Sequence, residues 1–217
     1  MLTAAKSPFA LLAHLLLATL MTACGEPGAH DAHDLPIIGE RDVVDGDTIY
    51  HTVGDWAFYR QDSALVTEDM LRGTPYVVDF FFTSCPTICP KVTGNMLRIY
   101  DEFAADTPLK LVSFTIDPKR DSVGHLRNYS LNLGIAEADD WWFLTGDKYA
   151  LYDIADDYFS VAVEDPEAEG GFDHSGRILL VDERGRVRAY ADGTDQADVD
   201  HLIEDIAAYL NVDVPRE

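Results

Sequence analysis

Tyr76-Val77-Val78-Asp79-Phe80-Phe81-Phe82 runs directly into Thr83-Ser84-Cys85-Pro86-Thr87-Ile88-Cys89-Pro90. All of the first seven residues except Asp79 are apolar, and their β-branched and aromatic side chains favour a strand buried on both faces. Pro86 and Pro90 stiffen the cysteine segment, and Pro90 suits the first turn of a helix. From Pro90 to about Ala105, Val92, Met96, Leu97, Ile99, Tyr100 and Phe103 then recur at helical spacing. A dithiol therefore sits where a strand gives way to a helix. Open α/β sheets present their reactive groups at this edge.

Outward from that centre, Leu109 to Ile116 reads as a second buried strand. A loop from Asp117 to Asp121 leads into a helix that runs through Leu131 and closes near Gly134. Trp141 to Leu144 reads as a short strand, Lys148 to Asp156 as a short helix, and Phe159 to Val163 as a strand. An acidic loop from Glu164 to Gly171 then precedes Phe172-Asp173-His174-Ser175. Arg177 to Val181 and Arg186 to Tyr190 form a hairpin about Asp182-Glu183-Arg184-Gly185, and a helix from Asp198 to Leu210 comes last. Upstream, Asp45-Gly46-Asp47 turns between two short strands, Trp56 to Arg60 alternates as a strand, and Thr67 to Gly73 reads as one short helix. This order predicts an α/β fold, a thioredoxin-like central sheet flanked by helices, with an N-terminal β-hairpin extension. One domain, residues 37–217, is expected.

The chain has 217 residues, of which 47% are hydrophobic, enough for one sizeable core. Its 39 acidic and 16 basic residues give a formal net charge of -23. Such a surface repels phosphate backbones and excludes nucleic acid as a partner; it reads as a solvated acidic surface. At the amino terminus, Lys6 precedes an apolar run from Phe9 to Leu20 that is short for a membrane span. Leu20-Met21-Thr22-Ala23-Cys24 resembles the lipobox of bacterial lipoproteins, in which the cysteine becomes the lipidated first residue. On that resemblance, residues 1–23 are a signal peptide, Cys24 carries a lipid, and residues 24–36 form a flexible tether. The domain would then lie in the bacterial cell envelope, facing the periplasm or the outer side of a membrane. An ordinary secretory signal and an uncleaved anchor are the other readings of this segment. His30 and His33 lie in the tether and carry no argument.

With Cys24 blocked by lipid, Cys85 and Cys89 are the free pair. On a helically curled loop, positions i and i+4 face the same way and bring the sulfurs together. Unpaired N–H groups at a helix start favour thiolate, which is both the nucleophile of disulfide exchange and a ligand for soft metals. A purely structural disulfide would add little, because closing so small a loop removes little chain entropy. Redox chemistry and metal binding thus both stay open. A metal site would need a further ligand, for which imidazole is suited, and His174 is the candidate at the start of a core strand. Its functional reading and that of a surface histidine are evenly balanced. His51, His125 and His201 read as structural or surface residues.

Three stretches together resemble the Sco/SenC family. They are Phe80-Phe81-Phe82-Thr83-Ser84-Cys85-Pro86-Thr87-Ile88-Cys89-Pro90, Thr115-Ile116-Asp117-Pro118-Lys119-Arg120-Asp121, and Asp173-His174-Ser175 with Leu180-Val181-Asp182-Glu183-Arg184-Gly185. The resemblance covers about Ile37 to Leu210. It implies a thioredoxin-fold copper chaperone for cytochrome c oxidase assembly, with copper as Cu(I) or Cu(II) held by Cys85, Cys89 and His174. Asp117 and Asp121 fall on the family's Asp-Pro-x-x-Asp loop next to those ligands. Many members carry Asp between the cysteines, where this chain has Thr87. The implied partner is the copper-bearing subunit of cytochrome c oxidase, with a periplasmic thiol reductase or another copper chaperone as further partners. The competing role is a thiol–disulfide oxidoreductase that reduces the oxidase's copper-site cysteines. That role uses Cys85 and Cys89 as a redox-active pair and has no need of His174.

Overall fold

The computed structural model describes residues 35–135, 140–168 and 170–213. Strand β5 (Tyr76–Phe81) is buried along its whole length, as its apolar run requires. It lies inside a seven-stranded sheet with β6 (Lys110–Thr115), β7 (Trp141–Thr145), β10 (Arg177–Val181), β11 (Val187–Asp192), β3 (Ala57–Arg60) and β4 (Leu65–Thr67). The strand order is β11-β10-β5-β6-β7-β3-β4. β5, β6 and β7 run parallel, while β10 pairs antiparallel with β5 and β3 with β7.

Among the described residues four α-helices accompany the sheet: α1 (Cys89–Phe103), α2 (Val123–Asn132), α3 (Lys148–Asp157) and α4 (Gln196–Leu210). Asp147 and Asp195 cap α3 and α4, their side chains accepting from the first free N–H groups. On one face of β5, Phe81 packs with Tyr129 of α2 and Phe143 of β7. On the other, Phe80 stacks on Phe114 and meets Tyr158 at the end of α3, with Trp56 and Phe58 completing the cluster. Alternation along the strand thus splits the core into two aromatic layers.

The expected thioredoxin-like α/β sandwich is present, and so is its N-terminal hairpin. β1 (Arg41–Val44) and β2 (Asp47–Tyr50) pair antiparallel about Asp45 and Gly46, both with positive φ as a tight hairpin turn demands. The region read as a short helix at Thr67 to Gly73 is a 3-10 turn, Glu68–Leu71. The strand expected from Phe159 to Val163 is shifted and shortened to β8 (Ala162–Glu164). Phe159 instead has φ +52, and the N–H groups of Phe159 and Ser160 donate to Asp156 and Ala155. Closing α3 uses those residues, so they are unavailable to a sheet. Among the described residues β8 pairs only with β9 (Phe172–His174), in a two-stranded sheet apart from the central one. His174 therefore belongs to a strand rather than to the end of a loop.

Topology brings three connections to one edge. β5 ends beside Thr115 of the parallel β6, so the loops after both strands emerge together. Antiparallel β10 begins at that same edge, with Ile178 opposite Asp79. The residues entering β10, His174 to Gly176, thus arrive where the chain leaves β5 toward Cys85. Cys24, His30 and His33 lie outside the described residues.

Candidate metal centre

The cysteine loop is built from its backbone. The Cys85 N–H donates to the Phe82 carbonyl at 3.2 Å, and the N–H groups of Lys91 and Val92 donate to Ile88 at 2.9 and 3.0 Å. Helix α1 therefore begins at Cys89 with Pro90 in its first turn, where a missing N–H costs nothing. The Cys89 N–H points back at Cys85 Sγ, 3.4 Å away. Both cysteines are free and buried.

His174 completes the group. Its Nε2 lies 3.3 Å from Cys89 Sγ and 4.0 Å from Cys85 Sγ. One ligand atom from each of Cys85, Cys89 and His174 lies within 4.8 Å of the others. The imidazole rests edge-on against Phe82, at 5.3 Å between centroids, and Phe172 from the same strand packs on Phe82 at 4.9 Å. Two glycines allow this close seating. A Cβ on Gly170 (φ +84) would stand 2.8 Å from the Phe82 ring, and one on Gly176 (φ +61) would stand 3.0 Å from Ile88. Both positions also need a left-handed backbone, which glycine adopts without penalty.

The two thiols are unlike. Burial pushes Cys85 up, but N–H donors from Cys89 and Thr87 more than offset it, leaving the thiol below its ordinary value. Burial pushes Cys89 well up, only partly countered by a hydrogen bond involving the Phe82 backbone. Burial also lowers His174, which favours the neutral imidazole that can ligate. Thr87 Oγ1 lies 3.7 Å from Cys85 Sγ. Two buried sulfurs and a half-buried neutral nitrogen converging at one point suit a soft metal ion, and the sulfurs alone suit disulfide exchange.

Asp117 and Asp121 do not join this group; they stand behind it. Asp121 is fully buried and accepts from Thr83 N–H at 3.0 Å, Thr83 Oγ1 at 2.5 Å and Thr115 Oγ1 at 2.7 Å. The Asp117 N–H donates to Thr115 Oγ1, and Arg120 Nε lies 3.8 Å from the Asp117 carboxylate. The Arg120 guanidinium also donates to Ser84 Oγ. Sequence reasoning did not mark Thr83, Ser84, Arg120 or His125 as functional. The signal that would have raised Thr83 and Ser84 is two hydroxyls placed between an apolar strand and a cysteine. His51, read as structural, has Nε2 2.8 Å from the Asp157 carbonyl oxygen.

The family model described as SCO1/SenC matches residues 45–211. The SCO1 protein homolog of Bacillus subtilis (strain 168) is 30% identical over 162 residues, which cover 74% of this chain and 83% of that protein. A solved SCO1/SenC family lipoprotein from Bacillus anthracis str. Ames superposes with a TM-score of 0.62 at 26% identity, covering 71% of this chain and 92% of that one. The structure of BsSco, described as a member of the Sco family of cytochrome c oxidase assembly proteins with a disulfide switch, also gives 0.62 at 26% identity. It covers 75% of this chain and 95% of BsSco.

Proposed function

Because the chain belongs to the SCO1/SenC family, we propose that it is a membrane-tethered metallochaperone that carries copper to the binuclear copper centre of cytochrome c oxidase. The observation that carries this reading is the convergence of Cys85, Cys89 and His174 within 4.8 Å. The donor set fits the cargo. Soft thiolates favour Cu(I), and adding an imidazole makes the same set tolerable to Cu(II). Burial raises the Cys89 thiol and disfavours its thiolate, so loading copper displaces a proton and affinity rises with pH. His174 approaches from a two-stranded hairpin outside the central sheet, so release can begin at the nitrogen while both sulfurs stay on the rigid strand–helix junction. Copper then passes by ligand exchange to incoming cysteines of the copper-bearing oxidase subunit. The lipid on Cys24 holds the domain at the outer face of a respiratory membrane. This part rests on the lipobox-like segment and on the lipoprotein among the solved relatives.

Copper stoichiometry and absorption of the reduced protein test the site, for wild type and for Cys85→Ser, Cys89→Ser and His174→Ala. Wild type should bind one copper, the cysteine variants should lose it, and His174→Ala should bind at least tenfold more weakly, on the order expected for a lost ligand. His174→Ala binding as tightly as wild type would refute the three-ligand centre.

The asymmetry of the thiols supports a second reading. Cys85, with its lowered thiol, is the natural attacking sulfur, and Cys89, raised by burial, the resolving one. As a thiol–disulfide oxidoreductase the pair would reduce the oxidase's copper-site cysteines, served in turn by a periplasmic thiol reductase. Loss of copper binding in the cysteine variants alone, with His174→Ala unaffected, would favour this role.

A further inference from the structure

Thr83 and Ser84 link β5 to Cys85, and both are tied sideways to one loop. Thr83 gives its backbone N–H and its hydroxyl to the two oxygens of Asp121, at 3.0 and 2.5 Å. Ser84 Oγ accepts from Arg120, whose guanidinium also faces Asp117. Asp121 is fully buried, and Thr115 Oγ1 on β6 fixes its second oxygen at 2.7 Å. At the solvent end, His125 Nε2 from α2 lies 2.9 Å from Thr83 Oγ1 and 3.9 Å from Asp121 Oδ1. The Thr83 hydroxyl donates to the carboxylate and so is left to accept from the imidazole. Neither Lys nor Arg pairs with Asp121 among the described contacts. The carboxylate is held by hydroxyls and N–H groups aimed at it, an arrangement whose use is to fix geometry.

We propose that Thr83 is a positioning residue for the dithiol, clamped by Asp121 and His125 so that the Cys85 end of the loop stays in its reduced, open arrangement. Cys89 is already fixed by helix α1, so the separation of the two sulfurs depends on where Cys85 is held. In the clamped loop Cys85 Sγ accepts from the Cys89 N–H at 3.4 Å and faces His174. Releasing Thr83 loosens the Thr83–Ser84 link while Phe82 stays packed, which weakens that reduced arrangement and favours closure of the disulfide. The inference rests on the dithiol of the proposed function but not on copper.

The test is the dithiol–disulfide equilibrium of the metal-free full chain in glutathione redox buffers. There, two protein thiols are oxidised to one disulfide as one glutathione disulfide is reduced to two thiols. Thr83→Val, which keeps the shape and removes the hydroxyl, should shift the equilibrium about tenfold toward the disulfide, about 30 mV for this two-electron couple. Thr83→Ser should stay within about twofold of wild type, since it restores the hydroxyl. Asp121→Asn should shift in the same direction as Thr83→Val, and the double variant no further than the larger single, as expected for one shared network. Thr83→Val matching wild type, Thr83→Ser shifting as far as Thr83→Val, or an additive double variant would each overturn the clamp. No metal enters the measurement, so a protein that failed to bind copper would refute the chaperone and leave this outcome readable.

Discussion

Asp79 interrupts the apolar run of β5, and the fold buries it to 2% exposure. Its Oδ1 accepts from Ser113 Oγ at 2.5 Å, and Ser113 Oγ accepts in turn from Trp141 Nε1 at 2.9 Å. Desolvation pushes its carboxyl up from 3.8 to about 7, more than the Ser113 bond can offset. Between those two values the folded chain holds a proton that the unfolded chain has released. Stability therefore falls as pH rises through that window and levels off above it. A difference of about three units sets an upper bound of about 4 kcal/mol. Asp79→Asn should remove that slope, leaving urea midpoints similar at pH 4 and higher than wild type at pH 8. A wild type equally stable at both values would refute the assignment. The residue scale also separates what can be read from sequence and what cannot. Cys85, Cys89 and His174 stood out by type and by setting. Thr83 and His125 did not, because their contact joins residues 42 positions apart, and no local spacing encodes it.

At the scale of elements, β5, α1, β6, β7, β10 and β11 were legible, because unbroken apolar runs and helical periodicity are local signals. The pairing of β8 with β9 was not. Each holds three residues, and an apolar alternation from Phe159 to Val163 looks the same whether it joins the core sheet or a small flap. The difference lies in how α3 ends, through the left-handed Phe159. The flap matters because it carries His174; among the described residues it packs on Phe82 through Phe172 and His174 and is tied to α3 by the Lys148–Glu164 ion pair at 2.6 Å, while its strands lie outside the main sheet. Gly170→Ala would place a methyl group 2.8 Å from the Phe82 ring at a φ of +84, so ring and strand must separate. The expected result is faster hydrogen exchange in β8 and β9 with β5 and β6 unchanged, and a several-fold loss of copper affinity. Unchanged exchange in the flap would show that packing on Phe82 does not limit its opening.

The whole molecule bears a formal charge of -23, and this bears on how it could stay at a membrane. Anionic headgroups repel a surface of that net charge, which disfavours adhesion by charge. No helix among the described residues is long and apolar enough to cross a membrane. The proposed attachment through the amino-terminal segment lies outside the described residues. There the apolar run from Phe9 to Leu20 is shorter than the roughly 20 residues a span requires. That shortness is in keeping with the proposed cleaved leader and lipid on Cys24, although one acyl chain alone binds only marginally and a stable anchor takes more than one. Cys24→Ser, expressed in a bacterial host that processes lipoproteins, should move the protein from the membrane pellet to the soluble envelope fraction. High salt should fail to release the wild type, because no ionic contact holds it. Copper binding by the released variant should match wild type, since the proposed ligands Cys85, Cys89 and His174 lie far from Cys24 in sequence. Cys24→Ser remaining in the pellet would mean that the leader itself is the anchor, and the lipid assignment would fall.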